Sequence, residues 1–305
     1  MFRHILVPLD GSRLAEAALA PAARLARAMD AQMTLVHVIE KNAPSEVHSE
    51  RHLVTPDEAA GYLQEIARGA PLSGLRVETH VHTAEVSDVA RGIYEHTAEL
   101  KPDLIVMCAH GKGGVRRLLY GVMAQQVITL GTTPVLIVHP STEKQGEAKT
   151  GEIRTILAPI DGNPDHERGL PVASALAEAL RCRLQLLMVI PKVRDLSGSN
   201  AAVSLILPGS TRTELEMESS GAQAYLEQRA AELERSGIAV GHETARGDPA
   251  RTIIKAARRL CADMVIMGTH GRAGTDAFWE GSVASEVAAN LQIPLLLVPL
   301  GKGAA

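Results

Sequence analysis

Short apolar runs and helical stripes alternate along the whole of this 305-residue chain. Ile5 to Leu9, Met33 to Ile39, Val77 to Val81, Leu104 to Met107 and Val135 to Val138 are apolar or alternating stretches bounded by turn residues or helices. Runs of this kind predict short strands, most of them buried on both faces. Between the first two, Leu14, Ala18, Leu25 and Met29 recur at helical spacing, and the same face returns as Leu170, Ala173, Leu176 and Leu180. Strands alternating with amphipathic helices predict a parallel sheet with right-handed crossovers.

The chain also repeats itself. Ile5-Leu6-Val7-Pro8-Leu9-Asp10-Gly11 recurs as Ile156-Leu157-Ala158-Pro159-Ile160-Asp161-Gly162, 151 residues on. His110-Gly111, Gly121 and Pro134 recur as His270-Gly271, Gly281 and Pro294, 160 residues on. One nine-residue insertion in the second copy, between Pro191 and Gly237, accounts for the change, with Asp195 to Ser199 and Pro208 to Thr213 read as loop. Ser141 to Gly151 is polar and without apolar period, which marks a linker. The predicted fold class is α/β, two tandem doubly wound domains, each a five-stranded parallel sheet with helices on both faces. The expected division is 1–142, a linker over 143–152, and 153–305.

Composition narrows the function classes. With 46% hydrophobic and 22% charged residues the chain reads as globular, and with two Phe, four Tyr and one Trp its cores must be built from Ala, Leu, Val and Ile. A net charge of −4 supplies no positive field for a nucleic-acid polymer. Cys108, Cys182 and Cys261 lack the C-x-x-C spacing of a metal or redox site and read as small hydrophobes in a reducing compartment. The first apolar run is too short for a signal peptide, and no stretch approaches the roughly 18 apolar residues of a membrane span. The expectation is a cytoplasmic protein.

In a doubly wound sheet, ligands bind beyond the carboxyl ends of the strands. There the second copy reads Gly268-Thr269-His270-Gly271, nine residues, then Gly281-Ser282. The glycines permit tight turns and close backbone approach, and Ser282 is placed to cap a helix whose free N–H groups and dipole suit a phosphate. Asp161 ends the copy's first strand and is read either as a turn residue or as an acceptor for sugar hydroxyls.

Gly-x-x-Gly, nine residues, Gly-Ser resembles the ATP-binding motif of the universal stress protein family. The resemblance extends to the Pro-x-Asp-Gly strand ends, to Gly247-Asp248-Pro249-Ala250 and to the final strand Pro294 to Pro299. It implies that Pro159, Ile160 and Asp161 face the adenosine, that Val189 floors the pocket, and that Met267 and Gly268 pack on the nucleoside. Gly271, Gly281, Ser282 and Val283 are implied to hold the phosphates, with Mg2+ carried on the ATP. Arg272 is read evenly as a phosphate cation or a solvated loop residue, and His270 as a loop packing residue. In the first copy Cys108 and Val122 replace the first motif glycine and the Ser/Thr, which predicts a weaker second site of Pro8, Asp10, Val38, Gly111 and Gly121.

No Ser-His-Asp order, nucleophile elbow or Walker loop is present, which points away from a hydrolase or kinase. The expected function is a nucleotide-dependent stress-response regulator with slow ATP hydrolysis at most and an unidentified protein partner. Nucleotidylyl transfer or ATP pyrophosphatase chemistry is the alternative enzyme class, and a nucleotide-free assembly module the alternative binding class. Family members pair through the last strand, so the two copies are expected to form an intrachain pseudo-dimer, with a homodimer of the whole chain as a further expectation. His48 with His52, and His80 with His82, are spaced to share a metal, but no four-ligand set is evident and no metal site is expected.

Overall fold

The computed structural model describes residues 2–47, 50–109, 122–140, 152–192, 208–269 and 282–300. The first copy contributes strands β1 (His4–Pro8), β2 (Gln32–Glu40), β3 (Glu46–Val47), β4 (Glu50–Arg51), β5 (Val77–Val86), β6 (Leu104–Cys108) and β7 (Val135–Val138). The second contributes β8 (Thr155–Ile160), β9 (Arg183–Ile190), β10 (Val240–Arg246), β11 (Met264–Thr269) and β12 (Leu295–Pro299). The helices are α1 (Arg13–Glu16), α2 (Leu19–Met29), α3 (Pro56–Arg68), α4 (Val89–Leu100), α5 (Val122–Leu130), α6 (Gly169–Leu180), α7 (Pro208–Arg235), α8 (Pro249–Arg259) and α9 (Val283–Asn290).

All strands but the β3–β4 hairpin form one ten-stranded sheet, in the order β10-β9-β8-β11-β12-β7-β6-β1-β2-β5. Each half is a five-stranded parallel sheet whose order reverses beside its first strand. The halves join antiparallel at the centre, where Leu296 faces Leu136. The last strands therefore pair with each other inside the chain, and the open edges of the sheet are β5 and β10.

Alternation along the strands divides the core into two layers. Ile5 and Val7 pack with Leu25 and Leu63 on one face, while Leu6 packs with Ile93 and Ile105 on the other. The same division continues through Ile156 and Leu226 on the first face and Leu157 and Ile253 on the second. Fully burying an aliphatic side chain contributes about 1.5 to 3 kcal/mol, so helices on both faces are needed to make a sheet this apolar stable in water.

Three sequence expectations are corrected. The stripe from Leu14 to Met29 is not one helix: the chain turns at Ala17 and Ala18, so that α1, capped by Ser12, is separate from α2. Pro208 to Thr213 opens α7 rather than forming a loop, with Pro208 at the first helical position, where its missing N–H costs no bond. Asp195 to Ser199 lie outside the described residues.

The third correction concerns the repeat. Val77 pairs with Met33 and Val240 with Leu184, so the copies stand 163 residues apart on the third strand, not 160. Tyr62 on α3 donates to Glu16, and Tyr225 on α7 donates to Glu167, again 163 apart. The offset falls to 160 only at the helix caps Asp88 and Asp248. The second copy thus carries twelve extra residues before Tyr225, and the first carries three extra where the register slips between Val38 and Glu40 against β5.

Candidate functional site

A cleft of about 460 Å³ lies at the carboxyl end of the second copy's sheet, within the size range of small-molecule sites. Pro159, Ile160 and Asp161 reach it from the end of β8, Val189 from β9, Met267 and Gly268 from β11, and Ser282 and Val283 from the start of α9. These are all the expected second-copy site residues that the structure describes. His270, Gly271, Arg272 and Gly281 lie outside the described residues, as do Gly111 and Gly121 of the first copy.

Asp161 is held by its own loop. Its Oδ1 accepts the Asn163 N–H at 3.0 Å and its Oδ2 lies 2.6 Å from His166 Nδ1, yet the side chain stays 56% exposed. The turn role and an outward-facing carboxylate therefore coexist. Gly162 makes the bend possible at φ +79, a left-handed conformation that a side chain disfavours. The loop is anchored from behind, because buried Glu167 accepts from Tyr225 at 2.8 Å and lies 3.4 Å from Arg229, both on α7.

Ser282 caps α9 as expected: its hydroxyl oxygen accepts the Ser285 N–H at 3.1 Å, and its carbonyl accepts the Ser285 hydroxyl at 2.8 Å. Val283 is 37% exposed at the first helical position, so the positive end of the helix dipole opens onto the cleft.

Gly268 has a different basis from the one its motif suggests. A Cβ there would lie 2.5 Å from the His166 carbonyl oxygen and 3.1 Å from Leu300, so it would strike the opposite loop of the protein. The residues missed by sequence reasoning are His166, Leu187, Pro249, Ile253, Thr269, Ala284 and Leu300, which also line the cleft. Leu187 stands two residues before Val189 on the same strand face, a signal that was available. Thr269 and Ala284 directly follow Gly268 and Val283 on the same elements, so they too were within reach of the motif, whereas His166, Pro249, Ile253 and Leu300 arrive from other segments that the motif does not mark.

The first copy's corresponding crevice is filled differently. Asp10 turns its Oδ1 to the Ser12 N–H at 2.9 Å and the Ser12 hydroxyl at 2.6 Å. Leu53 lies over Gly11, where a Cβ would come within 2.9 Å of it. Val38 is buried beneath Gly92 on α4, and Cys108 is buried at the end of β6. Pro8, Asp10 and Val38 thus share one sheet edge, with the expected floor residue covered. His52 follows β4 rather than lying on a helix, so its four-residue spacing from His48, which is outside the described residues, has no helical meaning.

Three comparisons with known proteins bear on this architecture. The model of the universal stress protein family matches residues 1–139 and again 152–299. A universal stress protein of Mycolicibacterium smegmatis is 29% identical over 304 residues, covering 96% of both chains. The universal stress protein Sll1654 of Synechocystis is 31% identical over 138 residues, 45% of this chain and 86% of its own. In fold, the crystal structure of a universal stress protein from Archaeoglobus fulgidus superposes with a TM-score of 0.66 at 15% identity, over 98% of this chain and 97% of that one. With a family repeat matched on each side of the central β7–β12 pairing, the chain belongs to the universal stress protein family.

Proposed function

We propose that the second copy binds ATP, with Mg2+ on its phosphates, and that occupancy of this cleft makes the chain a nucleotide-dependent regulator in a stress response. The observation that carries the reading is convergence: residues from four separate segments, 159–161, 189, 267–268 and 282–283, meet in one cleft. The donor set fits a nucleotide. An exposed carboxylate suits ribose hydroxyls, apolar walls suit the base, and a capped helix start suits phosphate. Neither a general base nor a nucleophile is required by this reading, which assigns the protein binding with slow hydrolysis at most. The division at 1–142 and 153–305 belongs to the same proposal, with the nucleotide assigned to the second part.

Calorimetry of the full chain with MgATP tests it. One site is expected, and Asp161→Ala lowers affinity by at least about tenfold, the equivalent of about 1.4 kcal/mol. Asp10→Ala leaves the titration unchanged. No heat at millimolar MgATP, or equal loss from both variants, overturns the assignment.

A further inference from the structure

The outer edge of the first copy carries a side-chain cluster that the nucleotide cleft does not use. His80 and His82, two residues apart on edge strand β5, share one strand face. His96, on α4, is 97% removed from solvent at the same place, with a relative exposure of 3%. His82 Nδ1 lies 2.9 Å from His96 Nε2. The rings of His80 and His82 both meet His96 edge-on, with centroids 4.5 and 4.8 Å away.

Glu99 defines which nitrogen of His96 carries the proton. Its carboxylate oxygen lies 3.1 Å from His96 Nδ1 and can only accept there, so the Nε2 lone pair faces His82. A carboxylate behind the ring and a lone pair in front is the arrangement that orients metal-binding histidines. Donor atoms of His80, His96 and Glu99 also fall within 4.8 Å of one another.

The fold itself does not demand imidazoles in this corner. Strand register places Glu243 and Ala245 of the second copy where His80 and His82 stand in the first. The cap offset places Ala256 and Arg259 where His96 and Glu99 stand. There Arg259 and Glu243 form an ion pair instead. The first copy has the same two elements packed together with three imidazoles in place of that pair.

We propose that His80, His82 and His96 form a site for a divalent transition metal of the zinc class, with Glu99 as the positioning residue for His96. Zinc–nitrogen bonds of about 2.0 to 2.1 Å at tetrahedral angles separate the nitrogens by about 3.3 to 3.4 Å. The His82–His96 contact therefore has to open by about half an ångström. On binding through Nδ1, the His82 proton moves to Nε2, and the ligand set stays neutral. His80 and His82 are only partly buried, which gives the ion an entry path and leaves a fourth position for water. An all-imidazole set favours zinc, nickel or copper over magnesium or calcium.

Zinc chloride titrated into the full-length chain against a chromophoric chelator tests the site, with Co2+ absorption as a readout of tetrahedral coordination. One zinc per chain is expected. His80→Ala/His82→Ala, on a partly exposed edge strand, should weaken binding at least about a hundredfold and abolish the Co2+ bands, with the far-ultraviolet circular dichroism unchanged. Glu99→Gln should weaken it about ten- to a hundredfold while the Co2+ bands persist. Failure of the chain to compete for zinc at micromolar concentration, or undiminished binding by the double variant, overturns the proposal.

Discussion

Gly268, near the end of β11, and Gly169, the first residue of α6, meet backbone to backbone. A Cβ on Gly169 would lie 3.0 Å from the Gly268 amide nitrogen, and one on Gly268 would lie 2.5 Å from the carbonyl oxygen of His166. The loop between β8 and α6 can sit against the strand end only because neither residue has a side chain. That loop carries Asp161 and His166, so the glycine pair sets where the wall of the cleft stands. In the first copy the equivalent positions are Cys108 and Ala18, both buried.

Gly268→Cys, which writes the first copy's residue into the second, should push the His166 carbonyl away and carry Asp161 with it. Overpacking of this kind costs about 1 to 3 kcal/mol, and MgATP affinity is expected to fall at least tenfold alongside it. Urea denaturation and calorimetry read the two effects separately. The reverse change, Cys108→Gly, should create no second binding site, because Leu53 still covers Gly11 and Val38 still lies under Gly92. A stoichiometry of two in Cys108→Gly would refute this account of the first copy.

The three thiols should separate sharply in reactivity. Burial pushes the Cys108 thiol up to about 12, with the Asp10 carboxylate adding to it, and burial followed by Asp263 pushes Cys182 up to about 11. Cys261 is exposed. Because the thiolate is the reacting species, a disulfide reagent at pH 8 should titrate one thiol in the native protein and all three in denaturant. The sign of the linkage follows. Unfolded thiols ionise near 9 while the folded ones resist, so this stability is complete below pH 9 and is lost as pH rises toward 11 and 12. Two fast-reacting thiols in the native chain would contradict the burial.

Legibility of the sequence followed how locally each feature is determined. The strands could be read because β6 and β7 are apolar at every position, with Ile105 facing one core layer and Leu136 the other, and such runs need no partner to identify them. The start of α7 could not, because Pro208-Gly209-Ser210 has the composition of a turn, and its low helix propensity does not announce the helix that begins there. A count of offsets saw a net change of nine and missed that it is twelve inserted against three, since the slip beside Val86 cancels part of it. At the cleft, Pro159, Asp161 and Ser282 were legible through a motif with a physical rationale. His166 and Leu300 were not, because they come from loops whose approach depends on Gly268. His80 and His82 were visible as a pair, but His96 and Glu99 join them only through the packing of α4 on β5.

His37 provides the last test, on acid stability. Its ring is buried between two carbonyl oxygens, with Nδ1 2.7 Å from Leu9 and Nε2 3.3 Å from Leu53. A neutral imidazole has one N–H and can donate to only one of them. Burial holds the ring's proton affinity below its ordinary value of 6.5 despite both carbonyls; His52 acts with burial and the Asp10 carboxylate against it. Burial lowers His139 in the same way. The unfolded chain therefore takes up protons near 6.5 that the folded chain refuses. This contribution is complete above that pH and is lost as pH falls through the lower folded values. In the presence of a chelator, the urea midpoint should fall between pH 7.5 and 5.5 with an unchanged slope, and His37→Gln should flatten that fall by removing one titrating ring. Equal midpoints for the parent chain at the two pH values would show that these rings do not resist protonation.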